Sequence, residues 1–270
     1  MLIHFFIIII TVLNAIVMTH LIYNMLGNSR AKGKNYRGEE IPVGMGMVFS
    51  LSLFIPFILY NLYFQWGETL HIFILGIIGM SFIGIIDDLL GSRDTTGLKG
   101  HIGKLFHMQL TTGGLKALMG GIISIYVTSS FSNNIFIILL NALILSLFTN
   151  LINLLDLRPG RAIKGYLFYS LILLGLFYNQ ETVYLLIISS IPVIIYFPKD
   201  LKAKAMMGDV GSNALGFILG FCTILYFTNI LKLIILFLLI CIHIYAEKSS
   251  ITKLIERNPI LHFIDQLGRG

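Results

Sequence analysis

The amino-acid sequence predicts an all-α, polytopic integral membrane protein with about nine transmembrane helices. Of its 270 residues, 56% are hydrophobic and only 12% are charged, and the mean hydropathy is +0.87. A soluble domain of this length needs more charge to cover its surface. The apolar residues also form long runs separated by short polar connections, which is the pattern of helices that cross a bilayer.

Each long apolar run predicts one helix, because about 20 apolar residues cover the hydrocarbon core of a bilayer. The first run begins at Leu2 and lacks both the basic segment and the cleavage site of a signal peptide, so it predicts a retained helix. After the ninth run an amphipathic tail, residues 247–270, follows without a further span. We treat residues 1–270 as one transmembrane helical domain. The nine runs cover residues 2–26, 43–64, 69–88, 112–130, 134–154, 163–178, 182–198, 210–228 and 230–246.

The basic residues predict how these helices are oriented. Of the 19 Lys and Arg residues, 18 lie in alternate connections or in the tail, and only Lys232 lies on the other side. Because cytoplasmic loops are enriched in Lys and Arg, the N-terminus is expected outside and the C-terminus in the cytoplasm. This distribution explains the net charge of +6 better than nucleic-acid binding does.

The first polar cluster is the pair Asp87 and Asp88 in the segment FIGIIDDLLG, at the inner end of the third run. Acidic residues near membrane depth are costly and usually functional. Two adjacent carboxylates repel each other, so a cation is their natural partner. Their oxygen atoms suit Mg²⁺ that is shared with a phosphate. The alternative interpretation is a helix end that faces water.

The second cluster lies in NLINLLDLRPGRAIKG, residues 150–165, at the inner end of the fifth run. Asn150 and Asn153 lie on one helix face, and Asp156 continues that face. A carboxylate and amides beside several cations indicate a site for a metal-bound anion. A positive-inside anchor would explain the cations, but it would not explain Asn153 and Asp156. The three cations that follow around a Pro-Gly turn are Arg158, Arg161 and Lys164.

The third cluster is MMGDVGSNALGFILG, residues 206–220, at the start of the eighth run. Asp209 stands where a helix begins, and Gly208, Gly211 and Ser212 allow a ligand to approach the backbone closely. Free N–H groups and the helix dipole favour a phosphate there, while Asp209 could hold its Mg²⁺. An ordinary N-cap by Asp209 is the alternative.

Two weaker candidates are Lys104, in the segment KGHIGKLFHMQ, and His262, in the tail. Lys104 is a candidate phosphate contact, whereas a lone histidine such as His262 is by default an interfacial residue. The clusters gain weight together, because the predicted topology places all of them on the cytoplasmic face. Several carboxylates, cations and glycines at that level fit an anionic phosphate substrate and a divalent metal.

In this order the segments IPVGMGM, IGIIDDLLG, NLINLLD and GDVGSNALG, with a C-terminal Pro-x-x-His, resemble the polyprenyl-phosphate N-acetylhexosamine-1-phosphate transferases. The resemblance runs through most of the chain. It implies transfer of a sugar-1-phosphate from a UDP-sugar to undecaprenyl phosphate or another membrane polyprenyl phosphate, with release of UMP. It also implies Mg²⁺ as cofactor, with Mn²⁺ as the alternative, and a multi-pass protein of the plasma membrane with its active site on the cytoplasmic face. A homodimer is left open.

The resemblance carries roles onto matching residues. Asp87 and Asp88 match the family's aspartate pair, which would activate or position the lipid phosphate. Asp209 and Asp156 would hold the metal. From the resemblance, Asn153, Lys104 and His262 are expected to bind substrate. The clusters described above add further residues expected to bind it, namely Arg158, Arg161, Lys164, Gly208 and Ser212.

Two departures from the family pattern are visible. The central motif usually continues as Asp-Gly-x-Asp-Gly, whereas this chain has Pro159 in place of the second carboxylate. The histidine cluster near the C-terminus is reduced to His262, and no tenth run is found. These departures keep a second hypothesis open, a non-catalytic relative that serves as a scaffold or regulator in envelope synthesis. A transporter is disfavoured, because the carboxylates gather at helix ends and not at the membrane midplane.

Overall fold

A computed structural model describes residues 2–91, 110–178 and 182–269 of the chain. Most of the described residues are helical. Most of the helices follow the apolar runs closely. In chain order they are α1 (Leu2–Gly27), α2 (Met47–Leu51), α3 (Phe54–Phe64), α4 (Gly67–Leu90), α5 (Thr112–Ser129), α6 (Ile135–Leu155), α7 (Arg161–Phe177), α8 (Val183–Leu201), α9 (Gly208–Tyr226), α10 (Asn229–Lys248), α11 (Ile251–Arg257) and α12 (Pro259–Gln266).

Helix α9 is the centre of the bundle. Every residue from 210 to 224 is buried, although the helix is no more apolar than its neighbours. It packs closely against α4 and α6 because glycines remove side chains at the crossings. A β-carbon at Gly84 of α4 would lie 2.4 Å from the Cα of Val210, and one at Gly216 would lie 2.3 Å from the Cα of Thr149 on α6. These crossings bring the start of α9 beside the ends of α4 and α6.

A short antiparallel hairpin, β1 (Lys32–Lys34) and β2 (Glu40–Pro42), lies between α1 and α2. The chain after it pairs with the segment that leads into α9. The N–H of Met206 donates to Pro42 O at 2.8 Å, and the N–H of Met45 donates to Met206 O at 3.0 Å. The hairpin is therefore anchored at the same end of the bundle as the start of α9. The apolar runs did not predict it.

The structure confirms the all-α, multi-pass class. Within the described residues, seven helices are long and apolar enough to cross a membrane, if α2 and α3 are taken as one span. Helices α5 and α7 occupy two further predicted runs, but α5 is less apolar and α7 has only 17 residues. The count of nine spans and the orientation of the N-terminus therefore stay predictions.

Candidate active site

A cavity of about 480 Å³ opens at the end of the bundle where α4, α6 and α8 end and α9 begins. Its volume is in the range of pockets that hold small ligands. The hairpin, the turn after α6 and the connection from α8 to α9 form its walls. Its polar lining consists of Lys34, Asn35, Tyr36, Asp88, Asp156, Arg158, Asp200 and Asp209.

Asp88 caps the first turn of α9 from the end of α4. Its Oδ1 accepts a hydrogen bond from the N–H of Asp209 at 2.8 Å, and its Oδ2 accepts one from the N–H of Val210 at 3.1 Å. The N–H groups of a first helical turn have no partner within the helix, and a carboxylate there also interacts well with the helix dipole. The cap thereby fixes Asp209, the next carboxylate of the cavity.

Lys116, on α5, joins the carboxylates of two other helices. Its Nζ donates to Asp209 Oδ2 at 2.5 Å and lies 3.7 Å from Asp87 Oδ2. The lysine side chain is only 16% exposed, so this ion pair is poorly screened by water. In the sequence, Lys116 is only one of the 18 basic residues whose distribution predicts the topology.

Asn153, near the end of α6, completes this network. The orientation of its amide follows from its neighbours, since oxygen and nitrogen are assigned from the hydrogen-bond pattern. In the orientation that gives both the amide nitrogen and the amide oxygen a partner, the nitrogen donates to Asp209 Oδ1 at 2.9 Å, and the oxygen accepts from Lys116 Nζ at 2.8 Å. The Ser212 hydroxyl lies 3.4 Å from the same amide. Both oxygens of Asp209 are thus held.

Asp156 immediately follows α6 and faces the same cavity. Burial raises the pKa of Asp156 well above its usual value, and the nearby carboxylates of Asp200, Asp209 and Asp88 raise it further. The charge of Lys116 acts in the opposite direction. A cation bound in the cavity would relieve this repulsion.

Asp200, at the end of α8, is a cavity carboxylate that the sequence did not single out. Its Oδ2 accepts a hydrogen bond from the N–H of Gly160 at 2.7 Å, and the hydroxyl of Tyr196 donates to its Oδ1 at 3.4 Å. It therefore ties α8 to the turn that carries Asp156. The only signal in the sequence was an acidic residue among basic ones before α9.

Arg161 and Lys164, expected to bind substrate, are directed to the C-terminal tail. Arg161 is only 5% exposed and pairs with Asp265. Lys164 donates to the backbone oxygens of Ile264 and Asp265. Neither residue lines the cavity, whereas Arg158 does. The structure therefore separates these two cations from the carboxylate cluster.

Of the other residues that the sequence predicted for the site, some line the cavity and some do not. Gly208 lines the cavity, and a β-carbon there would lie 2.4 Å from Asp88 Oδ2. Asp87 contacts Lys116 at the edge of the cluster. His262 is exposed on α12 and is not among the residues that line the cavity. Lys104 lies outside the described residues.

The carboxylates suit a metal that is shared with a substrate. Within the described part of the chain, no three His, Cys, Asp or Glu residues are grouped as a metal site. Mg²⁺, however, is usually held by one or two carboxylates together with substrate phosphates. Asp156 and Asp209 line one cavity and offer oxygen donors of this kind. The residues therefore fit such a shared metal and not an all-protein cage.

Comparison with known proteins identifies relatives for this architecture. Residues 70–227 match the model of glycosyl transferase family 4. The matched segment contains Asp88, Lys116, Asp156, Asp200 and Asp209.

Curated relatives agree with this match. A phospho-N-acetylmuramoyl-pentapeptide-transferase of Petrotoga mobilis is 31% identical over an alignment of 230 residues; the alignment covers 76% of this chain and 67% of the relative. An enzyme of the same name from Prochlorococcus marinus strain MIT 9301 is 29% identical over an alignment of 216 residues, which covers 73% of this chain and 60% of the relative. The chain thus spans between three fifths and two thirds of these relatives' lengths. These relatives give no support for a homodimer.

Proposed function

The chain belongs to glycosyl transferase family 4, and from this we propose that it transfers a sugar-1-phosphate from a UDP-sugar to a membrane polyprenyl phosphate and releases UMP. One observation carries the proposal. Four carboxylates from four segments of the chain, Asp88, Asp156, Asp200 and Asp209, line one cavity at the end of a membrane helix bundle. A soluble phosphosugar donor and a lipid headgroup could meet at that level.

In the proposed reaction an oxygen of the lipid phosphate attacks the sugar-bearing phosphorus of the donor diphosphate. The new P–O bond forms as the bond to the bridging oxygen breaks, and UMP leaves with that oxygen. Such phosphoryl transfer depends mainly on positioning and on electrostatic stabilisation. A lipid phosphate with a second pKa of roughly 6, like that of a phosphorylated side chain, needs no strong base.

The residues of the cavity have distinct roles in this proposal. Asp156 and Asp209 hold the metal, Mg²⁺ or alternatively Mn²⁺, which when bound neutralises charge on the phosphate oxygens. Lys116 and Asn153 orient Asp209 through the contacts described above. Arg158, exposed at the cavity wall, contacts the donor phosphates. Asp87 or Asp88 positions the lipid phosphate.

The carboxylate end of the bundle is proposed to face the cytoplasm, and the membrane is proposed to be the plasma membrane. The basic residues favour this orientation, since 18 of 19 lie in the connections on that side or in the tail. The matching enzymes are named for phospho-N-acetylmuramoyl-pentapeptide transfer. The sugar carried by this chain's donor is left to experiment.

The test is UMP release by the purified protein in detergent, with undecaprenyl phosphate, Mg²⁺ and a panel of UDP-sugars. We expect UMP with one donor, its loss on addition of EDTA, and its loss in Asp209→Asn. Glu68→Gln is the matched control, because Glu68 is an exposed acidic residue at the opposite end of α4. UMP formation unaffected by Asp209→Asn would contradict the assigned role. A folded protein that releases no UMP with any donor would favour the non-catalytic scaffold.

A further inference from the structure

The C-terminal tail is fastened to the bundle by a buried ionic cluster centred on Asp265. This residue lies on α12 and is only 5% exposed. Arg161 donates to it through Nε at 2.8 Å and Nη2 at 2.9 Å. Arg269 donates to the same two oxygens at 2.9 and 2.6 Å. Two bidentate guanidinium groups on one carboxylate form a geometrically specific contact.

Further contacts join the same two parts of the chain. Lys164 Nζ donates to the carbonyl oxygens of Ile264 at 2.9 Å and Asp265 at 2.8 Å, near the end of α12. A cation is favoured at that end of a helix, where carbonyl groups lack partners. Arg161 Nη1 also reaches the Thr252 hydroxyl on α11 at 2.8 Å. Both short tail helices are therefore held.

The tail is held to the turn that forms a wall of the proposed donor site. Residues 157–159 line the cavity between Asp156 and the start of α7. From inside the bundle Asp200 binds the N–H of Gly160. From the tail Arg269 Nε donates to the carbonyl oxygen of Pro159 at 2.7 Å. The turn is thus held at two adjacent residues, Gly160 by the bundle and Pro159 by the tail.

We propose that the tail is a strap, and that Asp265 is a positioning residue that keeps the 157–159 wall in the shape that binds the donor. This inference rests on the proposed function, since it assigns the wall to the donor site. Asp265 itself does not line the cavity. Its loss would leave two buried or partly buried guanidinium groups facing each other without their counter-charge, which strongly favours release of the tail.

The experiment compares Asp265→Asn with wild type in donor kinetics and in trypsin cleavage of the folded protein in detergent. We expect cleavage after Lys253 and Arg257 to accelerate, because both are exposed residues of a tail that would no longer be docked. We expect the KM for the donor to rise by roughly tenfold or more, with a much smaller change in kcat, since misplacing a binding wall weakens positioning. A general folding defect would instead lower kcat and yield together.

Two variants and one control make the result specific. Arg269→Gln removes one of the two guanidinium groups together with its contact to Pro159. Because Arg161 still pairs with Asp265, we expect a milder version of both effects without loss of fold. Asp265→Glu keeps the charge and is expected to recover most of the donor affinity. Glu256→Gln removes an exposed acidic side chain of the same tail and is expected to behave as wild type.

The outcomes separate the strap from the reaction. Unchanged cleavage in Asp265→Asn would overturn the strap, and faster cleavage with an unchanged donor KM would overturn its positioning role. Trypsin cleavage needs no turnover. An inactive wild-type protein would therefore count against the proposed reaction, while the cleavage rates would still decide whether Asp265 fastens the tail.

Discussion

At the scale of single residues, Lys116 supplies a positive charge to the carboxylates beside the cavity. Lys116 contacts Asp209, Asp87 and the amide of Asn153, and these three lie on three different helices. Without it, the carboxylates of Asp87 and Asp209 would lose the positive charge that both contact, in a poorly solvated site. The lysine therefore sets both the charge and the geometry of the cluster.

We expect Lys116→Met to lower UMP release by roughly a hundredfold or more, as is typical when a preorganised charged group is removed from an active site. The protein should still insert and purify, because the change leaves the helix packing of α5 in place. The assay is donor turnover at saturating lipid phosphate, with Lys253→Met as the control on an exposed lysine. Equal turnover in both variants would remove Lys116 from the cluster.

Gly208 shows how little room the cap of α9 leaves. Its φ is +71°, a region that glycine adopts at low cost, and a β-carbon there would meet the Asp88 carboxylate. We expect Gly208→Ala to displace Asp88 and to lower kcat/KM by at least about tenfold. Gly67→Ala is the control, because Gly67 also has a positive φ but open space around it. If both variants keep wild-type kinetics, the cap does not depend on this contact.

The sequence identified most carboxylates of the site but not how they are held. Asp88, Asp156 and Asp209 stand at helix ends where acidic residues are conspicuous, so their function could be inferred. Lys116 and Asp200 could not be distinguished from topological charges, because their partners lie 93 and 40 residues away along the chain. The sequence also predicted that Arg161 binds substrate, because its structural partner Asp265 lies 104 residues away and could not be recognised.

At the scale of helices, small residues decide which elements can meet. Gly216 allows α9 to cross α6 with a β-carbon position only 2.3 Å from the backbone of Thr149. Because backbone atoms cannot move aside as a flexible side chain can, we expect Gly216→Ala to destabilise the fold by about 1–3 kcal/mol. The measurement is the midpoint of thermal unfolding in detergent.

Gly175→Ala provides the matched control on α7. A β-carbon at Gly175 would meet open space, so the substitution should be neutral or stabilise the helix by up to about 1 kcal/mol. The two changes are chemically identical, but only Gly216→Ala is expected to destabilise the fold. A similar midpoint for both would show that the α6–α9 crossing tolerates a methyl group.

The docking of α12 gives an expected dependence on pH. Burial would raise the pKa of Asp265, but its bonds to Arg161 and Arg269 outweigh this and lower the pKa to about 2. A folded-state pKa below the unfolded value of about 3.9 stabilises docking above that pH and loses the contribution as pH falls toward the lower value. We expect the tail to stay docked from pH 8 to 5 and to loosen between about pH 4 and 2.

Hydrogen exchange of residues 259–269, corrected for the intrinsic pH dependence of exchange, measures this docking. The Asp265→Asn variant should show fast exchange at every pH, because it lacks the titrating group. Protection in wild type that does not change down to pH 2 would show that the ionic cluster contributes little to docking.

At the scale of the whole molecule, the two ends of the bundle differ: one carries the polar site and the other an aromatic cluster. The carboxylate cavity, the hairpin and the tail lie together where α4, α6 and α8 end. Aromatic residues gather at the other end, where the His4 ring stacks between Phe64 and Tyr184. The apolar runs and the basic residues predicted that the polar clusters share one side, because alternate connections lie on the same side of a membrane; they did not predict the aromatic cluster. The position of the hairpin could not be predicted from the apolar runs, because it depends on the tertiary pairing of Pro42 with Met206.

This separation makes the orientation in the membrane decisive for the proposed reaction, because a soluble UDP-sugar must reach the cavity from the cytoplasm. The test uses Cys241→Ser to remove the exposed cysteine, while the buried Cys222 is retained. Asn133→Cys and Lys253→Cys then report on the two ends. In intact cells a membrane-impermeant maleimide should label position 133 and not position 253, and inverted vesicles should give the reverse. Labelling of position 253 from outside would place the carboxylates away from any cytoplasmic donor. It would contradict the proposed transfer, however well the cavity fits a diphosphate.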